Sequence, residues 1–274
     1  MNSSKLILSV IGFLAFFTLA AQQNVGENLT ASKEEFASKL GKQLGISNGT
    51  FERNDGQFDG DIAYKYASST ASVEFYKDKI IFGLRKVKRA HNPGNIEEPM
   101  LFDYLVWSVD LLGSHTASIS AIGDIESSNI SYFRANSKRA SKNTANEILY
   151  TDVYPNVDLR FYTNTNGELK YDFILHPNAR LSDIELKYTG VRNLLISDSG
   201  SLVYETDWGT IEEQKPFSYK QESEEEVEII YSLDGTILTF DSELESIQET
   251  IIIDPIYVDW SSYFYGNGTN SSGF

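Results

Sequence analysis

From Phe51 to about residue 255 apolar and polar side chains alternate, with Gly, Asn, Asp and Ser punctuating the chain roughly every eight to twelve residues. A period of two puts successive side chains on opposite faces of an extended strand, so each strand written this way must bury one face against another layer. The clearest example is Leu169-Lys170-Tyr171-Asp172-Phe173-Ile174-Leu175, which sets Leu169, Tyr171, Phe173 and Leu175 inward and Lys170 and Asp172 outward. Asn166-Gly167 just before it suits a tight turn with positive φ at both central residues, so residues 157–162 should fold back on 168–175. The same logic pairs 194–197 with 201–205 across Asp198-Ser199-Gly200, and 227–233 with 236–240 across Asp234-Gly235. Further strands are expected at 62–67, 72–76, 80–85, 102–111, 131–134, 184–188 and 250–253. About a dozen or more strands exceed a single small sandwich; the expected fold is all-β, a large β-sandwich of two packed, mainly antiparallel sheets, or two sandwiches sharing a sheet.

The N-terminal residues read differently. Lys5 precedes about fourteen apolar residues and the small pair Ala20-Ala21, the three parts of a secretory signal peptide. The apolar run falls short of the roughly twenty residues a membrane span requires. Residues 1–21 are therefore expected to be cleaved after Ala20 or Ala21, leaving no membrane span and a secreted or cell-surface product. Residues 22–49 form a leader in which Ser32 and Glu35 suggest a capping box, and Phe36, Leu40 and Leu44 one face of a short amphipathic helix. With 39 Asp and Glu against 23 Lys and Arg, the formal charge of −16 repels nucleic-acid backbones and anionic lipid surfaces. No Cys is present, which removes disulfides, thiol nucleophiles and Cys-based metal sites.

No catalytic, cofactor-binding or metal-ligating residue is assigned. HExxH pairs, Gly-x-Ser-x-Gly elbows and phosphate-binding glycine loops are absent from the sequence. His91, His115 and His176 stand in three separate loop-like contexts. Asp55, Asp59 and Asp61 resemble part of a calcium loop but lack its terminal Glu and regular spacing, so a plain turn is preferred. Asp158 and Asp172, facing each other across the first hairpin, form the tidiest carboxylate pair for glycoside hydrolysis, yet Arg160 and Lys170 beside them favour cross-strand salt pairing. The acidic run Glu222, Glu224, Glu225, Glu226 and Glu228 and the basic cluster Arg85, Lys86, Lys88 and Arg89 read as surface that pairs internally or docks a module. Sixteen Tyr and three Trp could stack on sugars but more commonly fill an all-β core.

Six strings occur in order: Asn54-Asp55-Gly56-Gln57, Tyr154-Pro155-Asn156-Val157-Asp158-Leu159, Leu169-Lys170-Tyr171-Asp172-Phe173, Tyr188-Thr189-Gly190, Ile253-Asp254-Pro255, and Trp260 through Gly266. The series resembles the N-terminal domain of unknown function of large exported Bacteroidota proteins, where it precedes SBBP-type β-propeller repeats. The resemblance implies that residues 50–255 are the sandwich domain and 256–274 the start of a truncated propeller repeat. It further implies that the partners are downstream β-propeller or immunoglobulin-like modules of a larger chain. Pro177-Asn178-Ala179 departs from a usual Pro-Gly-Ala turn, which Asn tolerates through left-handed backbone angles. Tyr219-Lys220-Gln221 carries one residue more than usual and is read as a bulge. Pro155 should end its strand and aim the next one, and Asp254 should receive backbone N–H groups. The function expected from these readings is a non-catalytic, exported structural or adhesion-type module, with an extracellular carbohydrate-binding module recognising surface glycans as the alternative.

Overall fold

The structure, a computed structural model, describes residues 49–58, 60–68, 71–89, 101–116, 118–123, 126–132, 140–164 and 169–255. The expected signal peptide, leader helix and propeller opening lie outside these residues, as do His91, Asp59 and the Asn166-Gly167 pair. Nineteen strands follow one another: β1 (Thr50–Arg53), β2 (Tyr64–Ala67), β3 (Ala71–Phe75), β4 (Lys79–Arg89), β5 (Leu101–Leu112), β6 (Ser118–Ala121), β7 (Glu126–Tyr132), β8 (Ala140–Ala145) and β9 (Glu147–Tyr154). They continue with β10 (Val157–Thr163), β11 (Leu169–Leu175), β12 (Glu185–Thr189), β13 (Arg192–Ile196), β14 (Leu202–Thr206), β15 (Gly209–Glu213), β16 (Pro216–Lys220), β17 (Ile230–Asp234), β18 (Ile237–Asp241) and β19 (Ile251–Pro255). A single 3-10 turn, Leu181–Asp183, is the only helical element among the described residues.

The strands form a ten-stranded sheet in the order β17-β18-β12-β5-β4-β3-β2-β1-β8-β7 and a six-stranded sheet in the order β16-β19-β11-β10-β9-β6. A small third sheet, β13-β14-β15, was not expected from the sequence. Neighbouring strands pair antiparallel throughout, as in the hairpins β4–β5 and β10–β11. The two large sheets face each other as a sandwich. Phe51, Phe75 and Trp107 from one and Ile148, Phe161 and Phe173 from the other are buried in one core. Ring contacts tie the layers: Phe75 meets Phe161 edge-on at 4.9 Å, and Phe173 meets Phe240 at 5.5 Å.

Hairpin registers show which local signal dominates. Thr163 pairs with Leu169, so Phe161 opposes Tyr171 and Arg160 opposes Asp172. A two-residue turn on Asn166-Gly167 would instead have set Phe161 against Asp172 and mixed apolar with polar on each face. Alternation overrides the turn signal because a one-residue slip moves a whole strand's apolar set to the wrong side. The Ser199 hairpin closes as expected, with Ser197 N donating to Ser201 O at 2.8 Å. The Asp234-Gly235 turn shifts by one residue, because Asp234 itself pairs with Ile237. β9 ends at Tyr154 and β10 starts at Val157, its direct partner, so Pro155 and positive-φ Asn156 make the turn.

Other expectations fare unequally. Asn178 adopts φ +70°, the left-handed angle anticipated for the Pro177-Asn178-Ala179 turn. No bulge forms at Tyr219, where β16 runs in unbroken register with β19 from Pro216 to Lys220. Beyond the strand, Glu224 takes φ +57°. Gly190 of the Tyr188-Thr189-Gly190 string sits at φ +88°, and a Cβ there would lie 3.2 Å from both Trp107 Cα and Val106 O. Glycine lets β12 leave its sheet close to β5. Strands β6 and β8 escaped notice because Ser-Ile-Ser-Ala alternates over only four residues and Ala-Ser-Lys-Asn-Thr-Ala offers no large apolar side chain; pairing with richer neighbours recruits them.

Candidate functional site

Strand β15 carries the least expected side chain of the molecule. Ile211 and Glu213 share one parity, so seating Ile211 in the core takes Glu213 in with it. Glu213 is 7% exposed. Its carboxylate accepts from Tyr204 of β14 at 2.9 Å, Tyr188 of β12 at 3.3 Å and Tyr171 of β11 at 3.3 Å. These phenols come from all three sheets, so one carboxylate clasps the three layers together.

Burial raises the Glu213 pKa, and the hydrogen bonds from Tyr204, Tyr171 and Tyr188 pull it partly back. The same three phenols, with Tyr231 of β17, are held well above the usual tyrosine range by burial and then by the Glu213 charge. They therefore remain protonated donors. The Tyr231 hydroxyl is buried with no hydrogen bond of full geometry, and the Tyr171 phenol beside it acts on it only as a weak donor. Beside the clasp lies a mostly apolar cavity of about 60 Å³, walled by Trp107, Phe82, Phe161, Tyr171, Tyr188 and Tyr204 with Glu213 in its lining. Half-buried Phe82, Leu169 and Lys170 mark its rim.

A second buried carboxylate sits on the opposite face of the six-stranded sheet. Asp172 was expected on a solvated face but is 1% exposed. The Arg160 guanidinium lies on it through both Nε, at 3.1 Å, and Nη2, and Tyr162 donates to it at 3.3 Å. Long side chains cover this outer face, so facing outward here does not mean facing water. Burial again raises the carboxyl pKa, opposed by the Arg160 hydrogen bond and charge. Lys170 donates to Asp254 at 3.2 Å. Thus Asp254 receives an ammonium where backbone N–H groups had been expected.

The other sequence candidates are dispersed. Asp158 opposes Ile174, not Asp172, so the glycosidase-like pair across the hairpin is not formed. Asp158 accepts from the Asp152 backbone N–H at 2.8 Å, bracing a bulge, and lies 2.9 Å from His176 Nε2. His115 is exposed, its backbone N–H bonded to Val153 O. Asp55 is engaged by Arg53 and Asn143, both at 2.8 Å, while Asp61 is exposed. Asn54 accepts the Gly56 and Phe58 backbone N–H groups, and buried Gln57 donates to Glu52 at 3.0 Å, which gives the Asn54-Asp55-Gly56-Gln57 string a loop-knitting role. Among the described residues no group of three His, Asp or Glu side chains could hold a metal ion.

The acidic run pairs with its own surroundings, Lys215 with Glu228 and Lys220 with Glu225. Of the basic cluster, Arg85 lies over the Phe102 ring and Lys86 over Trp208. Most described aromatics serve the core. Trp107 is 2% exposed, whereas Tyr104 at 66% and Phe217 at 41% face outward. Sequence reasoning missed Glu213; its parity with Ile211 was the signal that could have found it.

Fold and clasp together define an all-β sandwich domain sealed by a third sheet. Residues 51–256 match the family described as Domain of unknown function (DUF7948), which spans well over half of the chain, and the protein belongs to that family. No curated protein and no solved structure matches it.

Proposed function

We propose that the chain is a non-catalytic, exported structural or adhesion-type module, the N-terminal part of a larger cell-surface or secreted protein. One observation carries this reading: the first and last described strands are interior strands, one in each large sheet. β1 lies between β2 and β8, and β19 lies between β11 and β16. Neither can peel away as an edge strand; withdrawing either breaks hydrogen-bonded ladders on both sides. That arrangement suits a domain standing in line with further modules and transmitting load between them. The commitment of Asp158, Asp172 and Asp254 to architectural pairs supports the non-catalytic part. The signal-peptide pattern of residues 1–21 supports export, and the ordered strings support a place before propeller repeats in a Bacteroidota surface protein.

Two measurements test the proposal. Pulling the full chain between its ends should give one cooperative high-force unfolding event, and Ile253→Pro, which removes a donor from the centre of β19, should lower that force. Gradual yielding at low force would refute a load-bearing role. Fractionation of cells expressing a C-terminally tagged chain should find it processed near Ala21 and outside the cytoplasm; unprocessed protein retained inside would refute export.

A further inference from the structure

A lysine and a carboxylate in contact hold between them the atoms of an amide bond, with one water in surplus. Lys170 of β11 and Asp254 of β19 stand in that relation, with Lys170 Nζ 3.2 Å from Oδ1 and 3.3 Å from Oδ2. Near-equal distances to both oxygens turn the nitrogen towards Cγ between them, the atom a nucleophilic amine must reach. The two side chains are 16% and 23% exposed, less on both sides than in the Lys65–Glu74 pair or the pairs of Lys215 and Lys220. Both strands are interior to the six-stranded sheet, so hydrogen-bonded ladders on either side hold the two groups together.

A third group completes the arrangement. The register that pairs Phe173 with Ile253 sets Asp172 opposite Asp254 on the same face, two residues along β11 from Lys170. Arg160 and Tyr162 hold the Asp172 carboxylate from β10. Four charges thus share the patch, Arg160 and Lys170 against Asp172 and Asp254. Condensing Lys170 with Asp254 removes one charge of each sign and leaves Arg160 paired with Asp172, so no buried ion is stranded. We propose that Lys170 Nζ and Asp254 Cγ join in an intramolecular isopeptide bond, with Asp172 as proton carrier. One ammonium proton passes to the Asp254 carboxylate along the existing contact, and the freed amine adds to Cγ. The N–Cγ bond forms and one Cγ–O bond breaks. Asp172 takes a second proton from the nitrogen and delivers it to the departing oxygen, which leaves as water. No oxidant, cofactor or second protein enters the balance. The bond closes a loop between residues 84 apart and fastens β19 to β11 one residue before Pro255, so tension on that end of the strand reaches the sheet through a covalent link.

Mass spectrometry of the full chain, unfolded and digested with a protease, tests the bond. The wild type should yield one branched peptide joining the stretch around Lys170 to that around Asp254, one water lighter than the two together, in place of two linear peptides. Lys170→Arg and Asp254→Ala should each return linear peptides only. Asp172→Asn should leave the linear peptides predominant. Linear peptides alone in the wild type would overturn the proposal and leave a plain ion pair; a full yield of the branched peptide in Asp172→Asn would overturn the proton-carrying role. The wild-type digest needs no variant, so the bond stays testable if Asp172→Asn does not fold. Residues 1–21 enter neither peptide, so the result is independent of export and of the load-bearing reading.

Discussion

Tyr171 and Asp172 are consecutive on β11, and each belongs to a cluster around a buried carboxylate, one on either face of the six-stranded sheet. Inside, Glu213 is held by three neutral phenols from three sheets. Outside, Asp172 is held by the Arg160 guanidinium and one phenol from its own sheet. Burial raises both carboxyl pKa values, yet the two arrangements respond differently to loss of a proton. Fixed dipoles at Glu213 serve either charge state without leaving a partner ion behind. At Asp172 protonation leaves a guanidinium beside a neutral acid. The inner cluster is thus a joint between layers that tolerates either state, and the outer one a lock within a layer that depends on charge.

The comparison is broken most severely at Arg160. Arg160→Met should strand the Asp172 charge and cost about 3 kcal/mol at pH 7, the lower end for a broken buried pair because the guanidinium is 32% exposed. The loss should shrink in acid as Asp172 takes up a proton; urea titrations at neutral and at acidic pH measure it, and a pH-independent loss would mean packing alone. Next in size is Tyr204→Phe, which deletes the shortest phenol bond to Glu213 and should cost about 2 kcal/mol in the same measurement. A loss below about 0.5 kcal/mol would show that the carboxyl is already protonated and weakly bonded at neutral pH.

How much of this was legible beforehand differs between the two faces of β11. Alternation in residues 169–175 places Phe173 and Leu175 in the core, and they are there. The same alternation assigns Asp172 to the outer face correctly but carries no information on what covers that face. The side chains of Arg160 and Tyr162 do so from a neighbouring strand, a register effect that depends on which residue opposes which. Asn166-Gly167 misled that register because turn propensity is local, whereas face matching is summed over a whole strand. Glu213 was hidden for a different reason. Composition treats Glu as surface, and only the parity of a five-residue strand with one large apolar side chain pointed inward. Of the third sheet, the β13–β14 hairpin around Ser199 was legible, whereas β15, with Glu212 and Glu213 and one large apolar side chain, was not, and nothing local set these strands apart from the two large sheets.

Acid–base behaviour sharpens the contrast further. For a carboxyl whose folded-state pKa is raised, the native protein binds the proton more tightly than the unfolded chain. Its contribution to stability then falls as pH rises from the unfolded value, about 4.3 for Glu, through the raised folded value, and is constant below both. Glu213→Gln removes one such group, so the variant's stability should decline less between pH 4 and 7 than the wild type's, with Arg160 and Asp172 untouched. A slope identical to wild type would place the inner carboxyl outside the pH response and leave Asp172 as its source.

The smallest effect expected is at Tyr231. Its buried hydroxyl makes no hydrogen bond of full geometry and has only a weak donor in Tyr171, while the three phenols around Glu213 each bond the carboxylate. An unsatisfied buried hydroxyl lowers stability, so Tyr231→Phe should be neutral or raise stability by up to about 1 kcal/mol. The ring would keep its packing on Phe240 at 5.6 Å. Thermal unfolding of the two proteins at one pH decides it. A destabilisation of 1 kcal/mol or more would mean that Tyr231 belongs to the clasp as a fourth donor, and that the inner carboxylate is more fully solvated by phenols than the three bonds described.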